Sequence, residues 1–192
     1  MAIDPSAYTF TRITLPGIDS VPRVYDINNR GDIVGETKAL DGFLLRNGEV
    51  TILDVPGSTR TLAYGVNDRG DVVGTYLDQE SSPHGFLYSH GDYTSLDVPG
   101  SDYTQLTGIN NRGQIVGSAS GDETVAGGYV YENGAFNKIT VPGNPDAFLI
   151  PDGINNQGVI VGSTSNEAFV LDSGELTLVD NPLSNISSTS GT

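Results

Sequence analysis

The sequence predicts an all-β protein: a small β-propeller of four blades, each of four antiparallel strands, with an extra N-terminal strand sealing or flanking the ring. Three observations carry this. A ten-residue pattern occurs four times, as Asp26-Ile-Asn-Asn-Arg-Gly-Asp-Ile-Val-Gly35, Gly65-Val-Asn-Asp-Arg-Gly-Asp-Val-Val-Gly74, Gly108-Ile-Asn-Asn-Arg-Gly-Gln-Ile-Val-Gly117 and Gly153-Ile-Asn-Asn-Gln-Gly-Val-Ile-Val-Gly162. Equivalent glycines at Gly17, Gly57, Gly100 and Gly143 are spaced by 40, 43 and 43 residues, a period that belongs to repeat architectures. Each period holds four strand-like runs separated by glycine turns, the make-up of a propeller blade, and no helical pattern is evident.

The chain opens on Tyr8 to Leu15, whose alternating side chains suit a half-buried strand and which Pro16-Gly17 stops. It matches the later strands that end in Val55-Pro56-Gly57, Val98-Pro99-Gly100 and Val141-Pro142-Gly143, so the chain enters its repeat at the last strand. In the second repeat, strand A is Thr61 to Val66 and strand B is Asp71 to Tyr76. Between them, Asn67-Asp68-Arg69-Gly70 forms a hairpin in which Gly70 takes positive φ and Asn67 hydrogen-bonds its own backbone. Strand C is Gly85 to Tyr88 and strand D is Tyr93 to Val98, joined by a second glycine hairpin at Ser89 to Asp92. Strand B carries Ile33-Val34, Val72-Val73, Ile115-Val116 or Ile160-Val161 without polar alternation, as expected where both faces are covered by neighbouring blades. The glycine after each pair is expected to mark close approach of an adjacent blade. The result is one domain over 1–183, with repeats of approximately 17–56, 57–99, 100–142 and 143–183, and a flexible Ser/Thr-rich tail over 184–192.

Twenty-four acidic against nine basic residues give a formal charge of -15, which repels phosphate backbones and anionic membranes and excludes nucleic acid and membrane surfaces as partners. Zero cysteines rule out disulfides and thiolate chemistry. The stretch Met1-Ala-Ile-Asp-Pro-Ser has neither a basic n-region nor an apolar h-region. Either a leader has been removed or the protein is cytoplasmic, the latter if the native chain starts at Met1.

The spaced pattern Gly-Ile-Asn-Asn-x-Gly-x-Ile-Val-Gly, an aromatic after a small residue, x-Asn-Gly and Leu-Asp-Val-Pro-Gly resembles the bacterial HAF family of extracellular repeats over roughly residues 8 to 180. The three letters of that name fall on Asp41-Gly42-Phe43, His84-Gly85-Phe86, Gly127-Gly128-Tyr129 and Glu167-Ala168-Phe169, and only His84 keeps the histidine. The resemblance implies a β-propeller-like fold and an exported, extracellular or cell-surface protein. It implies no defined activity and no catalytic residue.

Function is expected on the face bearing the B–C and D–A links, because these differ from copy to copy, whereas the A–B and C–D hairpins repeat. Strand A lies innermost in propellers, so the residues entering it are the candidate ligand-binding set: Arg23, Tyr25, Asp26, Arg60, Tyr64, Tyr103, Gln105, Thr107, Asp146, Phe148 and Asp152. Carboxylates, arginines and tyrosines in a cup suit a sugar or another small molecule. Asp26 stands where the other copies have glycine, which places a carboxylate near the channel mouth, or else an aspartate that caps its turn. Asp26 and Asp152, with Tyr25 and His84, are the candidates if the site is catalytic. His84 also has a structural reading, as a residue of the repeat pattern, and His90 is a solvated turn residue.

Other motifs are discounted. Asp26-x-Asn28-x-Arg30-Gly31 resembles a calcium loop, but an arginine occupies a ligand position and the closing glutamate is lacking. Arg30-Gly31-Asp32 and Arg69-Gly70-Asp71 lie in the repeated hairpin, and the Asp78, Glu80 and Asp122-Glu123 acids read as a solvated face. No metal site or cofactor is expected. The leading expectation is a module that binds a small molecule or carbohydrate. The rivals are a hydrolase, lyase or cyclase using the same mouth, and a docking or self-associating platform that forms a homo-oligomer through the outer D strands.

Overall fold

Glycine hairpins and short β-branched runs leave this chain little choice but to meander. The computed structural model describes residues 15–17, 21–122, 125–141, 144, 147–165 and 167–179. They form four antiparallel sheets, each with its four strands in chain order. The first holds β1 (Arg23–Ile27), β2 (Ile33–Glu36), β3 (Gly42–Arg46) and β4 (Glu49–Leu53). The second holds β5 (Arg60–Val66), β6 (Val72–Leu77), β7 (Pro83–Ser89) and β8 (Asp92–Ser95). The third holds β9 (Tyr103–Ile109), β10 (Ile115–Ser120), β11 (Gly127–Glu132) and β12 (Ala135–Lys138). The fourth holds β13 (Ile150–Ile154), β14 (Ile160–Ser163), β15 (Ala168–Asp172) and β16 (Glu175–Val179). Among the described residues there is no helix, and hence none able to cross a membrane. Of the expected N-terminal strand only Leu15 lies among the described residues. The tail over 184–192 and Asp146 lie outside them.

Both hairpins form as their residues require. In the second sheet, Asn67 N donates to Asp71 O at 3.1 Å and Gly70 N to Asn67 O at 3.0 Å, with Gly70 at φ +85°. The Asn67 Oδ1 accepts from the backbone of Arg69 and Asp71 at 3.0 and 3.1 Å. At the C–D turns two successive residues take positive φ, as at His90 (55°) and Gly91 (97°), the geometry that matches strand twist in a two-residue hairpin.

Successive strand residues point to opposite faces, so each apolar pair in the second strand of a sheet serves two interfaces. Val34 and Leu44 pack with Ala63, Val66, Val72 and Phe86 of the second sheet, while Ile33 packs with Phe43, Leu45 and Leu15. Val73 joins Leu106, Ile109 and Ile115 of the third sheet, and Val116 joins Leu149, Ile160 and Phe169 of the fourth. Leu15 thus occupies, against the first sheet, the place that Val55 occupies against the second.

The glycines after these pairs have a different neighbour from the one expected. Each first strand carries a bulge, at Tyr25, Tyr64, Thr107 and Asp152, where the register shifts. A Cβ on Gly74 would collide with the carbonyl oxygen of Leu62 and lie 2.8 Å from Phe86 Cε1, both within its own sheet. Gly35, Gly117 and Gly162 face the corresponding carbonyls of Arg23, Gln105 and Ile150. The glycine that admits an adjacent sheet is the one opening the pattern: a Cβ on Gly65 would lie 2.9 Å from Gly108 Cα.

Candidate functional site

The bulges make the four A strands useful, because a bulge re-aims one side chain relative to its ladder. Tyr25 and Tyr64 meet across the first two sheets with ring centroids 4.9 Å apart. Gln105 lies beside the Tyr64 phenol and accepts from the Tyr103 hydroxyl at 3.0 Å. Burial, and then the neighbouring Tyr25, raise the Tyr64 phenol above its ordinary value. The Thr107 hydroxyl donates to Pro151 O at 2.7 Å and so ties the third sheet to the fourth.

The centre of this string is a residue that the sequence did not single out. Glu36, the buried last residue of β2, takes both Nε (2.7 Å) and Nη2 (2.6 Å) of Arg60 on Oε1, and the Tyr25 hydroxyl on Oε2 at 3.3 Å. Its one sequence signal is that Thr75, Ser118 and Ser163 stand at the equivalent positions. Beside it a cleft of about 270 Å³ is lined by Val21, Arg23, Glu36, Thr37, Lys38, Leu40 and Arg60. Its floor is firm. Thr37 N donates to Asp41 O at 2.8 Å, Leu40 sits at φ 72°, and Thr61 N reaches across from the second sheet to Leu40 O at 2.9 Å.

The link from Asp78 to Ser82 has the same hydrogen-bonded form, with Ser81 at φ 65°. The D–A turns of the second and third sheets also match: Thr61 and Thr104 each accept a buried backbone N–H, from Val55 at 3.2 Å and Val98 at 3.1 Å. In these matched pairs the side chains vary more than the backbone, whereas the B–C link of the third sheet takes another form, with Val125 N and Ala126 N both donating to Asp122 O at 3.1 Å. Asp78, still about a third exposed, also caps its turn, accepting from Glu80 N and Ser82 N at 2.8 Å each.

Asp26 lies at the other end of its strand from the one expected, two residues before the hairpin residue Asn28. It lines a separate, hairpin-side concavity of about 400 Å³ to which all four sheets contribute. Its carboxylate accepts from Ile27 N at 2.8 Å and from Val66 N of the second sheet at 2.9 Å. Asp152 is exposed and does not line that concavity, so the two aspartates are not brought together there. Phe148 is exposed beside β13. Around the concavity the hairpins are laddered: Asn28 Nδ2 donates to Asn67 O (2.8 Å), Asn67 Nδ2 to Asn110 O (3.3 Å) and Asn110 Nδ2 to Asn155 O (3.1 Å). These amides are engaged in holding sheets together.

His84 is held by two carboxylates, Nδ1 with Asp97 Oδ2 at 2.9 Å and Nε2 with Asp78 Oδ2 at 3.4 Å, and its ring stacks on Tyr76 at 5.2 Å. Burial alone would lower the imidazole, but the hydrogen bonds and charges of Asp97 and Asp78 outweigh it and raise the group above its usual 6.5. A pKa raised on folding means that the clamp stabilises fully below the unfolded value and is lost as pH rises through the folded one. Thermal melts should therefore show a drop between slightly acid and alkaline pH that His84→Gln flattens. The expected size is at most about 1 kcal/mol, since the ring is a third exposed. An identical pH dependence in the variant would refute the clamp.

Among the described residues no cluster of His, Cys, Asp or Glu is arranged to hold a metal ion. No model of a known protein family matches the sequence, and no curated protein matches it.

Proposed function

We propose that the protein is a non-catalytic binding module of the β-propeller kind, related to HAF repeats, that takes a small anionic ligand or an acidic glycan. The site is the cleft formed by the D–A and B–C links of the first two sheets. One observation carries the reading: Arg23, Lys38 and Arg60, three of the nine basic residues in a chain of charge -15, border a single cleft. The Glu36 carboxylate there is already taken by Arg60 and Tyr25, which leaves Arg23 and Lys38 to meet a carboxylate or phosphate, while Val21 and Leu40 supply apolar walls for a sugar ring. The expected extracellular or cell-surface setting belongs to the same proposal.

Titration calorimetry with uronic-acid oligosaccharides and their neutral counterparts tests this. The acidic series should bind and weaken with salt. The double variant Arg23→Ala/Lys38→Ala should lose tenfold or more, about 1.4 kcal/mol, with its melting temperature little changed. Equal binding of neutral sugars, or an unaffected double variant, would sink the proposal.

A further inference from the structure

Each internal junction in this protein buries the same equivalent residues; at the two ends of the stack some of those residues stand in solvent, although Ile33 and Phe43 on the outer face of the first sheet are buried, with Leu15 packed on them. Val34, Val73 and Val116 are each 0% exposed beneath the following sheet, whereas their equivalent in the fourth sheet, Val161, is 48% exposed. At the other end Val24 is 58% and Ile27 60% exposed, where Ala63 and Val66 of the second sheet are 0% and 4% exposed. The glycines agree: a Cβ on Gly65 or Gly108 would meet the next sheet, but one on Gly153 would meet nothing within 4 Å.

We propose that these two ends bind each other between molecules, the fourth sheet of one copy docking on the first sheet of a second copy, head to tail. The occupant is a second copy because the missing half of each end is present on the opposite end of the same chain. The asparagine ladder has three rungs within one copy. Its last amide, on Asn155, and its first carbonyl, on Asn28, are the donor and acceptor of a fourth. The apolar filling is complementary too. The fourth repeat has Asn181 in sequence where the others have Val55, Val98 and Val141, and the first sheet brings Leu15 to that place in the junction. The contact differs from pairing of outer D strands, since it uses sheet faces and leaves the edges of β4, β8, β12 and β16 alone. It is heterologous, so two copies form a ring if the rotation closes and longer arrays form if it does not. At -15 per copy the molecules repel, so association strengthens as salt rises.

Sedimentation of the full chain over a hundredfold concentration range, at low and high salt, reads the outcome. The mass should rise above that of the monomer with concentration and with salt. Val161→Glu and Val24→Glu should each remain monomeric, folded by circular dichroism because both side chains already stand in solvent. Their equimolar mixture should form a dimer, one variant supplying an intact first sheet and the other an intact fourth. A chain that is monomeric under every condition, single variants that associate as the parent does, or a mixture that stays monomeric would each overturn the proposal. None of these results depends on the ligand cleft.

Discussion

Gly74→Ala should leave the protein unfolded or barely folded, a loss of about 4 kcal/mol or more from a total that is ~5–15 kcal/mol for a domain. The added methyl has nowhere to go. The bulge at Tyr64 drives the Leu62 carbonyl into the space a Cβ would fill, and Phe86, fully buried, closes the other side at 2.8 Å. Relief would require flattening the bulge, which would shift Tyr64 off Tyr25 and Gln105 and pull β5 from the core it shares with Val34 and Leu44. Gly153→Ala is the matching control. It lies in a first strand of the same repeat pattern, has open space around its Cβ position, and should cost less than about 1 kcal/mol. Denaturant melts of the two variants decide the matter. If Gly74→Ala proves as mild as Gly153→Ala, the bulge does not set the glycine requirement.

The same glycine shows how far the sequence could be read. Its recurrence after Ile-Val was visible, and so was the need for close approach. The approaching group was not, because the bulged residues Tyr25, Tyr64, Thr107 and Asp152 have no side-chain chemistry common to all four copies. A bulge is a backbone event that strand periodicity does not register. The hairpins were legible because positive φ narrows the choice of residue, and Gly70 and Gly91 take it. Of the candidate site, Arg23, Arg60, Tyr25, Tyr64, Tyr103 and Gln105 do fall into two linked groups on the first three sheets. Glu36 and Lys38 do not stand out in the sequence, because a buried carboxylate is conspicuous only beside its arginine. Asp26 was visible as an exception, but its direction depended on how few residues separate it from the turn, and its two backbone donors explain the exception without chemistry.

Asn67→Ala should cost about 3–4 kcal/mol and lower the melting temperature by roughly 10 °C. Its side chain makes four hydrogen bonds at a site only 3% exposed: two accepted from its own turn, one donated to Asp71 Oδ2 at 2.8 Å and one donated across the junction to Asn110 O. Truncation leaves the Arg69 and Asp71 amides without an acceptor that water can readily replace. It also releases Asp71. Burial would by itself raise that carboxyl, and hydrogen bonds from Ser89, Asn67 and Arg69 bring it below its usual value instead. A carboxylate depressed on folding stabilises above the unfolded pKa and loses that contribution as pH falls through the folded one. The variant should consequently unfold in acid at a higher pH than the parent, by more than its loss at neutral pH accounts for. Asn155→Ala separates the terms, because Asn155 makes the same turn bonds, to Gln157 N at 2.9 Å and Val159 N at 3.0 Å, on an exposed hairpin at the end of the ladder. It should cost about 1 kcal/mol, the worth of a turn cap in water. The difference between the two variants is then the share of this fold's stability that resides in one asparagine rung and its buried carboxylate, and equal losses would show that the ladder contributes none.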